Sequence, residues 1–409
     1  MTSRRGPRIV LAIGLLAGLV NAVLFPISHP DQVGFATDVY YAAARAALAG
    51  NEFYAALPGA SSGFRYPPIV VVGFSPHALL GDPALALALQ TILNLVTVAA
   101  LAILLVRFVE RAGIALDRVD RLLIAGYAVA SVPVTTNLVM GQVNPQLALA
   151  IAAGGVWLER DRQERAGVAF GLAALVKLFP ALVGAWLLRR RAWRAIAAAT
   201  ATGLSLLTLG VLVFGPGTLE TYVTEVVAGE ASVASFPDGP DPTAPYVTIR
   251  RQITFLAPGL PPGWLFPISA AVLAPVFVGM NRVVPDRTSR LVALLGTLLA
   301  TLILFPLEPF YLVLVLFPLV PLLYLLDPGT PRRLFLAGAL VLSVPTTYAT
   351  VQSLLTTPGI PARVASWVDA LVRGVFSFVL PPMVGIWLVL AACLLYQHRA
   401  AVVADDRSP

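Results

Sequence analysis

Charge is what this chain has least of: Asp, Glu, Lys and Arg make up 12% of its 409 residues, against roughly 25% in an ordinary soluble domain. Cysteine is almost as scarce. The single Cys393 excludes an intrachain disulfide and any cysteine metal cluster. The histidines, His29, His77 and His398, are scattered and give no zinc-binding spacing. Walker, dinucleotide-fingerprint and HExxH motifs are all missing. None of the segments read below as cytoplasmic is large enough for an ATPase or nucleotide-sugar domain. If the chain is an enzyme, its activated substrate must therefore arrive through a membrane or at the outer face.

What fills the chain instead is apolar: 58% of residues are hydrophobic and the mean hydropathy is +0.83. Stretches of bilayer-crossing length recur from residue 9 to residue 396, so the reading is an all-α polytopic membrane protein, one integral membrane domain over 1–409. Crossings are expected near 9–27, 84–106, 122–138, 145–158, 195–214, 264–281, 291–307, 310–326, 334–350 and 376–396. With a broken pair described next, that makes about 10–12 transmembrane helices. The first stretch has the basic flank of a signal peptide but no small-x-small cleavage site, and is read as retained.

With both termini placed in the cytoplasm, 21 of the 28 Lys and Arg fall inside and 6 outside, with Lys177 between two apolar stretches. The formal charge of +7 is thus a positive-inside signal, and nucleic acid is not an expected partner. Residues 166–188, "AGVAFGLAALVKLFPALVGAWLL", have basic flanks on both sides, and both flanks belong inside. Lys177 and Pro180 split the stretch, so it is expected as a broken or re-entrant helix pair. Long extracytoplasmic loops are expected at 28–83, 215–263 and 351–375. The first holds a helix signature, "TDVYYAAARAALAGN", with Thr37 or Asp38 as the cap and Gly50–Asn51 as the stop. The second, with "SFPDGPDPTAP", reads as irregular.

The polar residues each admit two roles. Asp38 caps its helix or pairs with Arg45, or else it is a general base at the outer face acting on a sugar or lipid hydroxyl. Lys177, flanked by apolar sequence, either snorkels or meets a lipid phosphate. Gln142, Asn144 and Gln146 in "MGQVNPQLA" form a capped turn or bind sugar hydroxyls. Glu308 in "FPLEPFYLV" is a turn residue or a second outer carboxylate. Arg65, Arg250 and Arg251 run against the positive-inside bias; they form ordinary ion pairs or await an anionic ligand.

The ordered set "TDVYYAAARAALAGNEFY", "FRYPP", "GQVNPQLALA" and "GLAALVKLFPALV" resembles glycosyltransferase family 87, within the membrane-embedded GT-C glycosyltransferases, over roughly residues 9–326. The resemblance implies a GT-C-type fold with outer-face loop helices. It implies an inverting transfer of a mannose-like sugar from a polyprenyl-phosphate donor to a lipid-linked or glycan acceptor at the outer face. The setting would be the plasma membrane and its lipids. Asp38 matches the family's catalytic acid and would take the acceptor proton. Arg45, Arg65, Lys177, Arg250 and Arg251 are the candidates for the donor phosphate, with Arg250 and Arg251 the favoured pair; Tyr41, Gln142, Asn144, Glu308 and Tyr311 are candidates for sugar or acceptor. The leaving group carries its own phosphate charge, which cations can stabilise, so neither a metal nor another cofactor is expected. The chain departs from the family near 306–313, where Tyr311 stands at a position that many members fill with His. A lipid or sugar flippase is the competing reading; it would be expected to show broken helices in repeated halves, and no internal repeat is found.

Overall fold

The computed structural model describes residues 4–56, 63–229, 234–236, 238–344, 346–356 and 361–405. Among them the regular structure is helical, with one isolated antiparallel bridge between Val247 and Leu307. Among the described residues seven helices are long and apolar enough to cross a bilayer, and the chain is an all-α multi-pass membrane protein. In chain order the helices are α1 (Arg5–Ser28), α2 (Phe35–Leu48), α3 (Ser75–Leu79), α4 (Pro83–Arg111), α5 (Arg118–Ala130), α6 (Val132–Met140), α7 (Asn144–Leu158), α8 (Gln163–Val176), α9 (Val183–Arg189), α10 (Trp193–Phe214) and α11 (Pro216–Thr221). They continue as α12 (Arg250–Leu256), α13 (Leu265–Met280), α14 (Arg287–Leu304), α15 (Leu316–Leu325), α16 (Thr330–Ser343), α17 (Tyr348–Leu355), α18 (Ala362–Phe378) and α19 (Pro381–Asp405).

The chain forms two compact units. One comprises Gly18–Ala231 with Val313–Phe317. Its long helix α4 starts as its sequence dictates: Asp82 accepts from the amides of Ala84 (2.7 Å) and Leu85 (3.1 Å), and Pro83 follows at the first helical position. Helices α8 and α10 meet through Gly167 and Gly171, where a Cβ would run into the carbonyls of Ala195 and Ala199. Such small-residue spacing lets two backbones approach where lipid offers no hydrophobic drive for association. The expected break in 166–188 lies where Lys177 and Pro180 are: α8 stops at Val176, Lys177 is extended, and a 3-10 turn over Phe179–Leu182 leads into α9.

The other unit comprises Met1–Ala17, Ser232–Leu312 and Pro318–Pro409. Its α14 opens with a capping box, Asp286 accepting from the Ser289 amide at 2.9 Å and Ser289 Oγ accepting from the Asp286 amide at 3.2 Å. The expected continuous crossing at 334–350 is not continuous: α16 ends at Ser343 and α17 lies at 67° to it. The expected loop 351–375 is largely helical, being taken up by the end of α17 and most of α18.

Candidate active site

Asp38 sits in the first turn of α2, whose register is fixed from both ends. At the start, Gly34 (φ +73°) is the N-cap residue, and its amide donates to the carbonyl of Val139 at 2.9 Å. This corrects the expected cap. Thr37 Oγ1 donates instead to the carbonyl of Gly141 at 3.2 Å, and no side chain caps the helix. The stop at Gly50–Asn51 is as expected: the Asn51 amide reaches the Ala46 carbonyl and the Gly50 amide reaches that of Ala47, with Gly50 left-handed.

The buried side of α2 packs into an aromatic cluster. Tyr40 stacks on Phe74 with centroids 4.2 Å apart, and its hydroxyl bonds to the Tyr66 hydroxyl (2.9 Å) and donates to Gln142 Oε1 (3.1 Å). Tyr66 is the tyrosine of "FRYPP", and the Lys177 ammonium lies 5.7 Å from its ring centroid. Four of the sequence motifs thus converge on one place. Tyr41 is buried on the same helix.

Asp38 is exposed. Among the described residues its carboxylate has no hydrogen bond or ion pair, so the pairing with Arg45 is not formed; Arg45 is exposed one helical face along. Partial desolvation holds the Asp38 carboxyl above the ordinary carboxylate range. The result is a solvent-reaching carboxylate, uncommitted to structure and biased toward accepting a proton.

The "GQVNPQ" turn is the second support. The Gln142 carbonyl accepts from Asn94 Nδ2 at 3.0 Å and from Gln90 Nε2 at 3.4 Å. Gln146 Nε2 donates to Asn94 Oδ1 at 2.9 Å, and Asn144 Nδ2 to Asn137 Oδ1 at 2.7 Å. His77 Nε2 closes the network on Gln90 Oε1 at 3.0 Å. Asn144 is wholly buried, so the capped-turn reading describes its side chain as it stands. Gln90, Asn94 and His77 were not singled out from sequence. A readable signal existed: two amides at i and i+4 inside an otherwise apolar crossing.

Of the remaining candidates, Arg65 lies in this same unit, and Arg250, Arg251, Glu308 and Tyr311 belong to the other. Arg251 is buried, donating from Nη1 to the carbonyls of Asp241 (2.8 Å) and Phe376 (3.1 Å) and from Nη2 to that of Ala244 (2.7 Å). Burial lowers its pKa to about 10, opposed by the charge of Asp241. Arg250 is buried beside it, and burial lowers its pKa too. Glu308 and Tyr311 line one small pocket with Val247 and Leu312. The second loop is stitched to this turn by the Val247 amide on the Leu307 carbonyl and the Ile249 amide on that of Ile303, both 2.9 Å. Arg65 is exposed next to Tyr66.

The model of glycosyltransferase family 87 matches residues 64–307, more than half of the chain. The chain belongs to glycosyltransferase family 87. The matched region of this family-87 chain contains Arg65, Gln142, Asn144, Lys177, Arg250 and Arg251; it begins after Asp38 and ends before Glu308 and Tyr311. Among curated proteins, the chain is similar to a polyprenol-phosphate-mannose-dependent alpha-(1-2)-phosphatidylinositol mannoside mannosyltransferase of Mycobacterium tuberculosis. The two are 30% identical over 217 residues, 49% of this chain and 50% of that protein. It is also similar to a polyprenol-phosphate-mannose-dependent alpha-(1-2)-phosphatidylinositol pentamannoside mannosyltransferase of Mycolicibacterium smegmatis. Here the identity is 29% over 165 residues, 40% of this chain and 38% of that protein. The matches thus span half or less of the length of these curated relatives.

Proposed function

We propose that this family-87 chain transfers mannose, with inversion, from polyprenyl-phosphate mannose to a hydroxyl of a lipid-linked glycan acceptor at the outer face of the plasma membrane. Both termini would lie in the cytoplasm, with α8 and α9 entering and leaving from that side. The observation that carries the reading is Asp38: an exposed carboxylate with no partner among the described residues, on a helix held in register by its neighbours. As general base it takes the acceptor O–H proton. The acceptor oxygen bonds to the anomeric carbon, the bond from that carbon to the phosphate oxygen breaks, and the lipid phosphate leaves with the electron pair.

The leaving phosphate calls for positive charge nearby. Arg251 already directs both Nη atoms at backbone carbonyls, so we assign the phosphate first to Lys177 and Arg65, with Arg250 and Arg45 as further candidates. Tyr41, Gln142, Asn144, Glu308 and Tyr311 remain the candidates for sugar or acceptor. The curated relatives support the donor and acceptor classes through what their names state.

The test is transfer from radiolabelled polyprenyl-phosphate mannose to a phosphatidylinositol mannoside by the purified chain, native and Asp38→Asn. General-base loss should reduce turnover by about 10²–10⁴ while donor binding persists. Equal turnover by both proteins would remove Asp38 as the base. Absence of transfer by folded native protein with any polyprenyl-phosphate sugar would remove the activity itself.

A further inference from the structure

Helix α18 divides into three sectors when projected at about 100° per residue. Setting Ala362 at zero, Val364, Trp367, Leu371 and Val375 fall within about 140–220°, and all of them are exposed, Trp367 to 68%. Val368, Asp369, Val372 and Phe376 fall within about 240–340° and form the covered side. Arg363, Ser366, Arg373 and Ser377 fall within about 20–100°. Phe378 also falls at about 160° but is half-buried, so the helix shows an apolar exposed stripe from Val364 to Val375 beside a packed stripe and a polar stripe.

The packed stripe is held by its own unit. Tyr348 Oη donates to Asp369 Oδ1 at 2.6 Å, and the Arg373 guanidinium lies 5.5 Å from the Tyr348 ring centroid. At the C-terminal end, Arg251 and Gln252 of α12 donate to the carbonyls of Phe376 and Phe378, and Phe255 meets the Phe378 ring edge-on at 5.2 Å. Among the described residues these contacts leave the Val364–Val375 stripe uncovered.

What covers that stripe follows from chain continuity. Only Val379 and Leu380 separate α18 from α19, and α19 contains a bilayer-length apolar helix starting at Pro381. The C-terminal end of α18 is thus tied to the membrane boundary. The helix cannot itself be a crossing: its 17 residues carry Arg363, Asp369 and Arg373, and at about 1.5 Å per residue it falls short of the roughly 30 Å hydrocarbon core. Trp367 on the exposed stripe suits the headgroup level.

We propose that α18 is an in-plane interfacial helix, docked by its Val364–Trp367–Leu371–Val375 stripe onto the lipid surface of the bilayer. The polar stripe faces water and the third stripe faces the protein. Because Arg251 and Gln252 hang on its last carbonyls, the depth of α18 in the lipid also sets the depth of α12. This holds whether or not the chain is a glycosyltransferase.

The test is spin-label depth measurement on the full chain in phosphatidylcholine–phosphatidylglycerol vesicles. Single cysteines replace Val364, Ser366, Trp367, Ala370, Leu371 and Val375 in turn. All are exposed, and the unsubstituted chain, whose Cys393 is buried, gives the labelling background. Collision with oxygen should exceed collision with a water-soluble nickel chelate at 364, 367, 371 and 375, at one shared shallow depth, and the ratio should reverse at 366 and 370. A steady depth change from 364 to 375, about 16 Å for a helix along the membrane normal, would overturn the proposal. So would chelate-dominated collision at 367 and 371. Low collision with both reagents there would show a protein partner on the stripe and overturn it too.

Discussion

Gly141→Ala tests whether the "GQVNPQ" turn holds the helix that carries Asp38. Gly141 is left-handed at φ +66°, and a Cβ there would collide with Thr37 Oγ1 and lie 3.2 Å from Leu87 Cδ1. An alanine in that backbone region costs roughly 1–2 kcal/mol. The collision displaces Thr37 and ends its hydrogen bond to the Gly141 carbonyl, a further loss of about 0.5–1.5 kcal/mol. Residual crowding adds about 1–3 kcal/mol, so the expected destabilisation is about 2.5–6.5 kcal/mol. In a Thr37→Ala background the colliding oxygen is gone. The same Gly141→Ala change should then cost little more than the backbone strain, about 1–2 kcal/mol. The assay is a double-mutant cycle of unfolding free energies by denaturant titration in detergent micelles. An equal cost in both backgrounds would refute the coupling and, with it, the claim that this turn and Thr37 fix α2.

Further outcomes follow from the contacts of both units. Since the Asp38 carboxyl is held above the ordinary range by desolvation, the base form is lost at higher pH than for a free aspartate near 3.9. The acid limb of kcat/KM should be displaced upward and be absent from the residual activity of Asp38→Asn. The stability sign is the reverse of a salt-bridged acid: the fold favours the protonated form, so stability is highest below the unfolded pKa and declines as pH rises to the folded one. Asp38→Asn should remove that decline without destabilising the protein at neutral pH. Arg251→Lys keeps the charge but cannot reach the carbonyls of Asp241, Ala244 and Phe376 together; it should cost about 2–4 kcal/mol in the same titration and open residues 238–246 to protease. Asn94→Leu leaves the Gln142 carbonyl and Gln146 amide short of a buried partner, with an expected loss of about 2–4 kcal/mol, whereas an exposed change such as Arg45→Gln should stay within about 0.5 kcal/mol.

Features set by local chemistry could be read from the sequence. Hydropathy gave the bilayer-length helices, Lys177 with Pro180 gave the break after α8, and Gly50 gave the stop of α2. Features set by distant partners could not. Thr37 has the residue type of an N-cap, but the carbonyl of Gly141 claims its hydroxyl from across the unit, and Gly34 takes the capping position through Val139. Gln142, Asn144 and Gln146 stood out as amides, yet only the fold shows that Tyr40, Asn137 and Asn94 engage them. Arg251 stood out as an outer cation, and nothing in "PYVTIRRQ" tells that its acceptors are carbonyls of a loop and a helix end. Helix α18 reads as a loop because Arg363, Asp369 and Arg373 interrupt its apolar residues, and only their helical spacing gathers those residues into one stripe.

Asp38 and its neighbours on α2 differ in what their side chains engage. Thr37 and Tyr40 are buried and each spends its hydroxyl on another element. Asp38, lying between them, is exposed and spends nothing, although a carboxylate in the first turn of a helix is ordinarily stabilised there. Desolvation raises the carboxyl's proton affinity. A residue kept for helix stability would accept backbone N–H bonds at the N-terminus, and Asp82 and Asp286 in this same chain do so. Asp38 lies one turn too late to reach them. Its backbone is positioned by the Gly34 and Thr37 contacts on one side and by the Tyr40–Tyr66–Gln142 contacts on the other. Such an acid contributes little to the fold, which is why its replacement by Asn is expected to separate turnover from stability.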